Sequence, residues 1–157
     1  MTAFNEWLSH RVSDADSLLF NTVVVPVSPN ISLGAMDLLR AWWEHLSKFT
    51  ADLSVPPGDR SIWGAHDYIA ALILRDRLAA AISRVDPTRR YRIESVVAEI
   101  DQLFMDFTEP DNDGCIERVD GRQDSSRGWW WKRVPARGPV RAELRIQYGH
   151  ETNGGTG

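Results

Sequence analysis

The residues with which this sequence could do chemistry are four histidines, one cysteine and a dense run of carboxylates. His10, His45 and His66 sit on or beside three different predicted helices. Three imidazoles gathered across a helical bundle could hold zinc, iron or nickel and leave a coordination position open for catalysis. No H-x-x-x-H or H-E-x-x-H spacing supports such a site, and Glu44-His45 and His66-Asp67 are i, i+1 neighbours that point to different helix faces. A metal-dependent helical-bundle enzyme built on these three histidines is therefore the alternative reading.

The stretch Glu109 to Asp120 has the outline of a calcium loop. Glu109, Asp111 and Asp113 fall at positions 1, 3 and 5, Gly114 at 6, Ile116 at 8 and Asp120 at 12. Oxygen ligands and a glycine at the bend are what a hard cation needs. Position 1 is Glu, however, and Asp at position 12 reaches poorly for bidentate binding, so an acidic turn after a helix is the expectation. Cys115 lies in this acidic stretch, which raises a thiol pKa and works against a nucleophile. Asp101 and Asp106 are i, i+5 and leave a common helix face. No G-x-S-x-G elbow, G-x-G-x-x-G loop or Walker-type loop occurs. No cofactor is expected, and the motifs weigh against an enzyme.

What remains is GWWWKRVPARGPVR, residues 128 to 141. Each tryptophan can bury roughly 150–250 Å², too much to leave in water. Read as an extended arm, the segment turns Trp129 and Trp131 inward and leaves Trp130 outside. Tryptophan and arginine are enriched where proteins bind one another, so Trp130, Arg133, Arg137 and Arg141 are the expected binding residues.

Charge sharpens this. Residues 99–124 carry nine carboxylates against two arginines, a net of −7, and residues 127–145 carry six cations against one glutamate, a net of +5. The two blocks are expected to attract each other within the fold, with the remainder available to a partner. The acidic block and the overall charge of −4 argue against nucleic acid.

The elements that must position these residues are mostly helical. Phe4, Trp7, Leu8 and Val12 mark a short first helix. Residues 22–27, with Val23 to Val25 before Pro26, read as one extended segment. Ser32 is the expected N-cap of a helix over 33–53, whose two apolar stripes include Leu39 and Leu46 on one and Trp42 and Phe49 on the other. A more uniformly apolar helix is predicted over 61–85. Asp86-Pro87 is expected to open a helix to about Phe107. Residues 109–128 read as an acidic loop, 129–134 as the aromatic arm, 139–147 as a short helix and 149–157 as a flexible tail.

The expected fold is therefore mostly α, a bundle of about four main helices in a single domain over 1–148. At 43% apolar and 25% charged residues the chain is globular in composition. It shows no long apolar run and no signal-peptide pattern, and its one cysteine rules out an internal disulfide. A soluble cytoplasmic protein that binds another protein, and no membrane, is the functional expectation: an accessory subunit, adaptor, inhibitor or immunity-type protein.

Overall fold

The computed structural model describes residues 3–56, 58–121 and 127–148. The expected tail, 149–157, lies outside them, as does part of the acidic loop. The fold is mostly α. Among the described residues it comprises α1 (Ala3–Ser9), α2 (Asp14–Asn21), β1 (Val24–Ser28), β2 (Ile31–Gly34), α3 (Ala35–Asp52), α4 (Ala65–Ser83) and α5 (Arg90–Phe107). Then follow β3 (Thr108–Pro110), α6 (Cys115–Asp120), a 3-10 turn (Trp129–Lys132), β4 (Arg133–Pro135) and α7 (Pro139–Tyr148). No helix among the described residues is long and apolar enough to cross a membrane. The chain divides into two compact units, Met1–Leu46 with Ile73–Leu103 and Ser47–Leu72 with Phe104–Gly157.

In the first unit the expected opening helix is two helices. Ser13 breaks the run: its hydroxyl accepts the Asp16 N–H at 3.1 Å and starts α2. The extended segment is real, and it has a partner that its own residues do not announce. β1 pairs antiparallel with β2 through a two-residue turn at Pro29-Asn30, in the register Val25↔Leu33 and Pro26↔Ser32. Ser32 is thus a strand residue, and α3 begins at Ala35.

The cap of α3 comes from Asp37, whose carboxylate accepts the Gly34 N–H at 3.4 Å. The same device starts α4 in the second unit, where Asp67 accepts the Gly64 N–H at 2.9 Å. Both helices therefore open on Gly-Ala-x-Asp, GAMD at 34–37 and GAHD at 64–67. In each, the acid at the third helical position satisfies an N–H that would otherwise have no acceptor. Gly34 has a second reason to be glycine: a Cβ there would lie 2.0 Å from the Asn21 side-chain oxygen.

The core of the first unit is Phe4, Phe20, Leu38, Leu39, Trp42, Leu78, Ile93 and Ile100, all essentially without solvent contact. At its centre is a charge. Asp101 accepts from Trp42 Nε1 and Arg75 Nε through Oδ1, both at 3.0 Å, and from Arg75 Nη2 through Oδ2 at 2.9 Å. This buried cluster ties α3, α4 and α5 together. Asp86 accepts from the Thr88 N–H and hydroxyl, as an opening residue should, and these bonds hold its carboxyl below the usual range. The turn that follows becomes helix only at Arg90, later than the expected Pro87.

The second unit is built around rings. Phe49 meets Trp63, Tyr68 and Phe107, while Phe104 meets Tyr68, Phe107 and Trp129. Ile116, Val134, Val140 and Leu144 complete the core. The loop after α3 is fastened by Asp52, which accepts from Lys48 Nζ at 2.5 Å and from the Trp63 N–H at 2.8 Å. α7 is held to the start of α4 by Glu143, which accepts the Ala65 N–H at 2.7 Å.

Candidate binding surface

The tryptophan arm belongs to the second unit, and pairing with β3 fixes it there. Thr108 faces Pro135, Glu109 faces Val134 and Pro110 faces Arg133. Two further backbone bonds extend the ladder, Asp111 N–H to the Lys132 carbonyl and Ala136 N–H to the Phe107 carbonyl. The three tryptophans lie just before this strand, and they are not extended. Trp129–Lys132 is a 3-10 turn, closed by a bond from the Trp131 N–H to the Gly128 carbonyl at 3.1 Å. Gly128 makes room for it: a Cβ there would lie 2.2 Å from the Trp130 ring.

The turn corrects the expected facing. An extended segment alternates sides with a period of two, whereas a 3-10 turn advances about 120° per residue and lets two adjacent rings face inward. Trp130, expected outside, is 7% exposed, and Trp129, expected inside, is 40% exposed. Trp131 is buried as anticipated, at 5%. The Arg127 guanidinium lies 3.7 Å from the Trp131 ring centroid and pairs with Asp120. In a 3-10 turn residues three apart eclipse one another, so Trp129 shares its face with exposed Lys132. Among the described residues Lys132 has no carboxylate partner. Met105, 42% exposed, follows the Phe104 on which Trp129 rests.

The expected arginines divide. Arg133 works inside the molecule: its Nε donates to Thr108 Oγ1 and its Nη2 to the Thr108 carbonyl, both at 2.9 Å. It is a cation at the C-terminal end of α5, where unsatisfied carbonyls and the helix dipole favour one. Its own carbonyl accepts from Tyr68 Oη at 2.7 Å. Burial pushes the Tyr68 phenol well above its ordinary value, Asp111 adds to the shift, and Arg133 opposes it. Arg141 is half-buried and pairs with Glu109 at 3.5 Å. Arg137 alone of the three is exposed. It edges a cleft with Phe49, Trp63 and Val140 whose volume is about 10 Å³, room for no more than one water.

The acidic block and the basic arm do meet within this unit, through Asp120 with Arg127 and Glu109 with Arg141. Asp113 and Glu117 stay exposed and pair with no cation among the described residues.

The calcium outline has a different use. Both oxygens of Asp111 cap α6, accepting from the Cys115 and Ile116 N–H groups at 3.0 and 2.9 Å, and Asp120 is taken by Arg127. Burial and the Asp111 charge push the Cys115 thiol up, away from thiolate chemistry. His10 and His66 are exposed, and His45 is half-buried with Nδ1 2.7 Å from the Ala41 carbonyl. The three histidines expected in the metal reading do not assemble: among the described residues no group of three His, Cys, Asp or Glu side chains is placed to hold a metal ion.

No family model matches the chain, and neither curated proteins nor solved structures yield a match.

Proposed function

We propose that the chain is a non-catalytic, cytoplasmic protein that binds another protein, as an accessory subunit, adaptor, inhibitor or immunity-type protein. Its contact surface centres on Trp129 rather than Trp130, with Lys132 on the same face of the turn. Asp113, Glu117 and Arg137 are secondary contacts. One observation carries the reading: Trp129 is 40% exposed on a turn whose other two tryptophans are almost wholly buried. A large ring held in the open by a rigid frame adds contact area at little entropic cost to binding, which is how tryptophan becomes a hot spot.

The experiment compares the wild-type chain with a Trp129→Ala, Lys132→Glu double variant as baits in extracts of the source cells. Any captured protein is then remeasured as a purified pair. The expected result is a partner that the wild type binds and the double variant loses, with unchanged circular dichroism. Absence of a partner, together with turnover of a substrate by the purified chain, overturns the reading.

A further inference from the structure

The first unit carries a groove of about 390 Å³ between α1, α2 and the start of α3. That volume falls within the range of small-molecule sites. Phe4, Leu8, Val12 and Met36 give it an apolar lining, and Leu18, 74% exposed, adds an aliphatic edge. Its charged groups are Asp14, Asp37 and Arg40.

These charges are not equally available. Arg40 is engaged: Nη2 donates to Asn5 Oδ1 at 2.9 Å, and the guanidinium lies 5.8 Å from the Phe4 ring centroid. The nearby Arg11 is also committed, with Nε 2.6 Å from Glu99 and its guanidinium 4.2 Å from the Trp7 ring. Asp14 and Asp37 are exposed, and neither pairs with a cation among the described residues. Asp37 accepts only a long bond, from the Gly34 N–H at 3.4 Å. An apolar trough thus carries two carboxylates that form no ion pair and one arginine held by Asn5 and the Phe4 ring, a net charge of −1.

We propose that this groove is a binding site for a small organic cation, an alkyl or aryl body bearing one ammonium or guanidinium group. The body covers Val12, Leu18 and Met36, and the head lies between Asp14 and Asp37. The two parts need each other. Apolar burial supplies most of the affinity, and the carboxylates select charge, since a cation meets two opposite charges and one like charge, and an anion the reverse. The trough takes a ligand of this size whole, which favours a small molecule over one side chain of a larger partner. This site is independent of the Trp129 surface and rests on different residues.

The test is an NMR titration of the full chain with three probes of one shape: n-hexylammonium, n-hexanol and hexanoate. Hexylammonium is expected to bind most tightly and hexanoate least, with the largest methyl shifts at Val12, Leu18 and Met36. Asp14→Asn and Asp37→Asn should each weaken hexylammonium about two- to five-fold, the range of one exposed charge pair, and leave hexanol unchanged. The spectra of the variants report folding directly. Equal binding of the three probes, or shifts centred outside the groove, overturns the proposal. So does saturation of the same methyls by a lysine-bearing amphipathic peptide when hexylammonium leaves them unmoved, because the groove would then be a docking face for a protein.

Discussion

Each unit buries an aspartate beside a tryptophan, and the two are neutralised in different ways. Asp101 lies in the first unit under Trp42, and its counter-ion Arg75 is slightly less accessible still, with side-chain exposures of 8% and 11% for Arg75 and Asp101. Asp52, in the second unit, is more deeply buried, but its cation Lys48 keeps 29% of its side chain in solvent. One cluster joins three helices through side chains alone. The other joins a helix to the loop after it, with the Trp63 N–H and the Ser61 carbonyl as the remaining partners. In the first arrangement both partners are shut away from water, and in the second only the carboxylate is.

Removing Arg75 as Arg75→Met should have the largest effect, a loss of about 3–5 kcal/mol, because it strands the Asp101 charge in the core. Chemical denaturation measures it. The double change Arg75→Met, Asp101→Leu should recover most of that loss. If it recovers none, the cluster is held by shape and not by charge, and the contrast with Asp52 collapses. Next come the inward rings of the second unit: Trp130→Ala and Trp131→Ala should each cost about 3–5 kcal/mol. Trp130 is thus expected to behave as a core residue, the reverse of what an extended arm implies.

Tyr68 sharpens the comparison because it is the second unit's buried neutral donor. Tyr68→Phe leaves the Arg133 carbonyl without that bond and should cost about 0.5–1.5 kcal/mol at neutral pH. The pH dependence follows from the direction of the shift. The folded phenol titrates well above its ordinary value, so the unfolded chain loses its proton first as pH rises. The wild type therefore keeps this stability below about pH 10 and loses it from there upward. Urea melts of the two proteins should converge above pH 10; a constant gap would mean that the phenol is not buried as described. Lys48→Met should cost less than Arg75→Met, about 1–3 kcal/mol, since it leaves the buried Asp52 carboxylate with the Trp63 N–H as its remaining donor.

How much of this is legible in the sequence depends on how local the cause is. The stripes of α3 are visible at their spacing, and Leu38, Leu39, Trp42, Leu46 and Phe49 are all buried. The two Gly-Ala-x-Asp starts are equally local, yet Ser32 hides the first of them by offering a conventional cap two residues before the real one. That residue is claimed instead by the ladder with Pro26, a choice made by the pairing of β1 with β2 rather than by Ser32 itself. Arg133 matters for a reason other than the expected one. Its acceptors at Thr108 lie 25 residues back in the chain, and no spacing rule reaches that far. The facing of the tryptophans turns on a single assumption. Three in a row with a glycine before them and a lysine after them fit a 3-10 turn as well as a strand, and the two geometries expose different rings.

That last point makes Trp129 the most discriminating position although its effect on stability should be the smallest of the three tryptophans. Its ring is part-exposed yet touches Phe104 and Trp130 at centroid distances of 5.9 and 5.8 Å, so Trp129→Ala removes contacts as well as surface. The loss should be about 1 kcal/mol, well below that at either neighbour. If the surface is a binding hot spot, the same change should weaken the partner by about 2 kcal/mol or more, roughly thirty-fold. Trp129→Phe keeps an aromatic contact to Phe104 and should restore stability before it restores binding, because the smaller ring reaches less far into a partner. A variant series in which stability and binding fall together would assign Trp129 to the core of the second unit, and the exposed ring would then be the edge of a plug and not a contact surface.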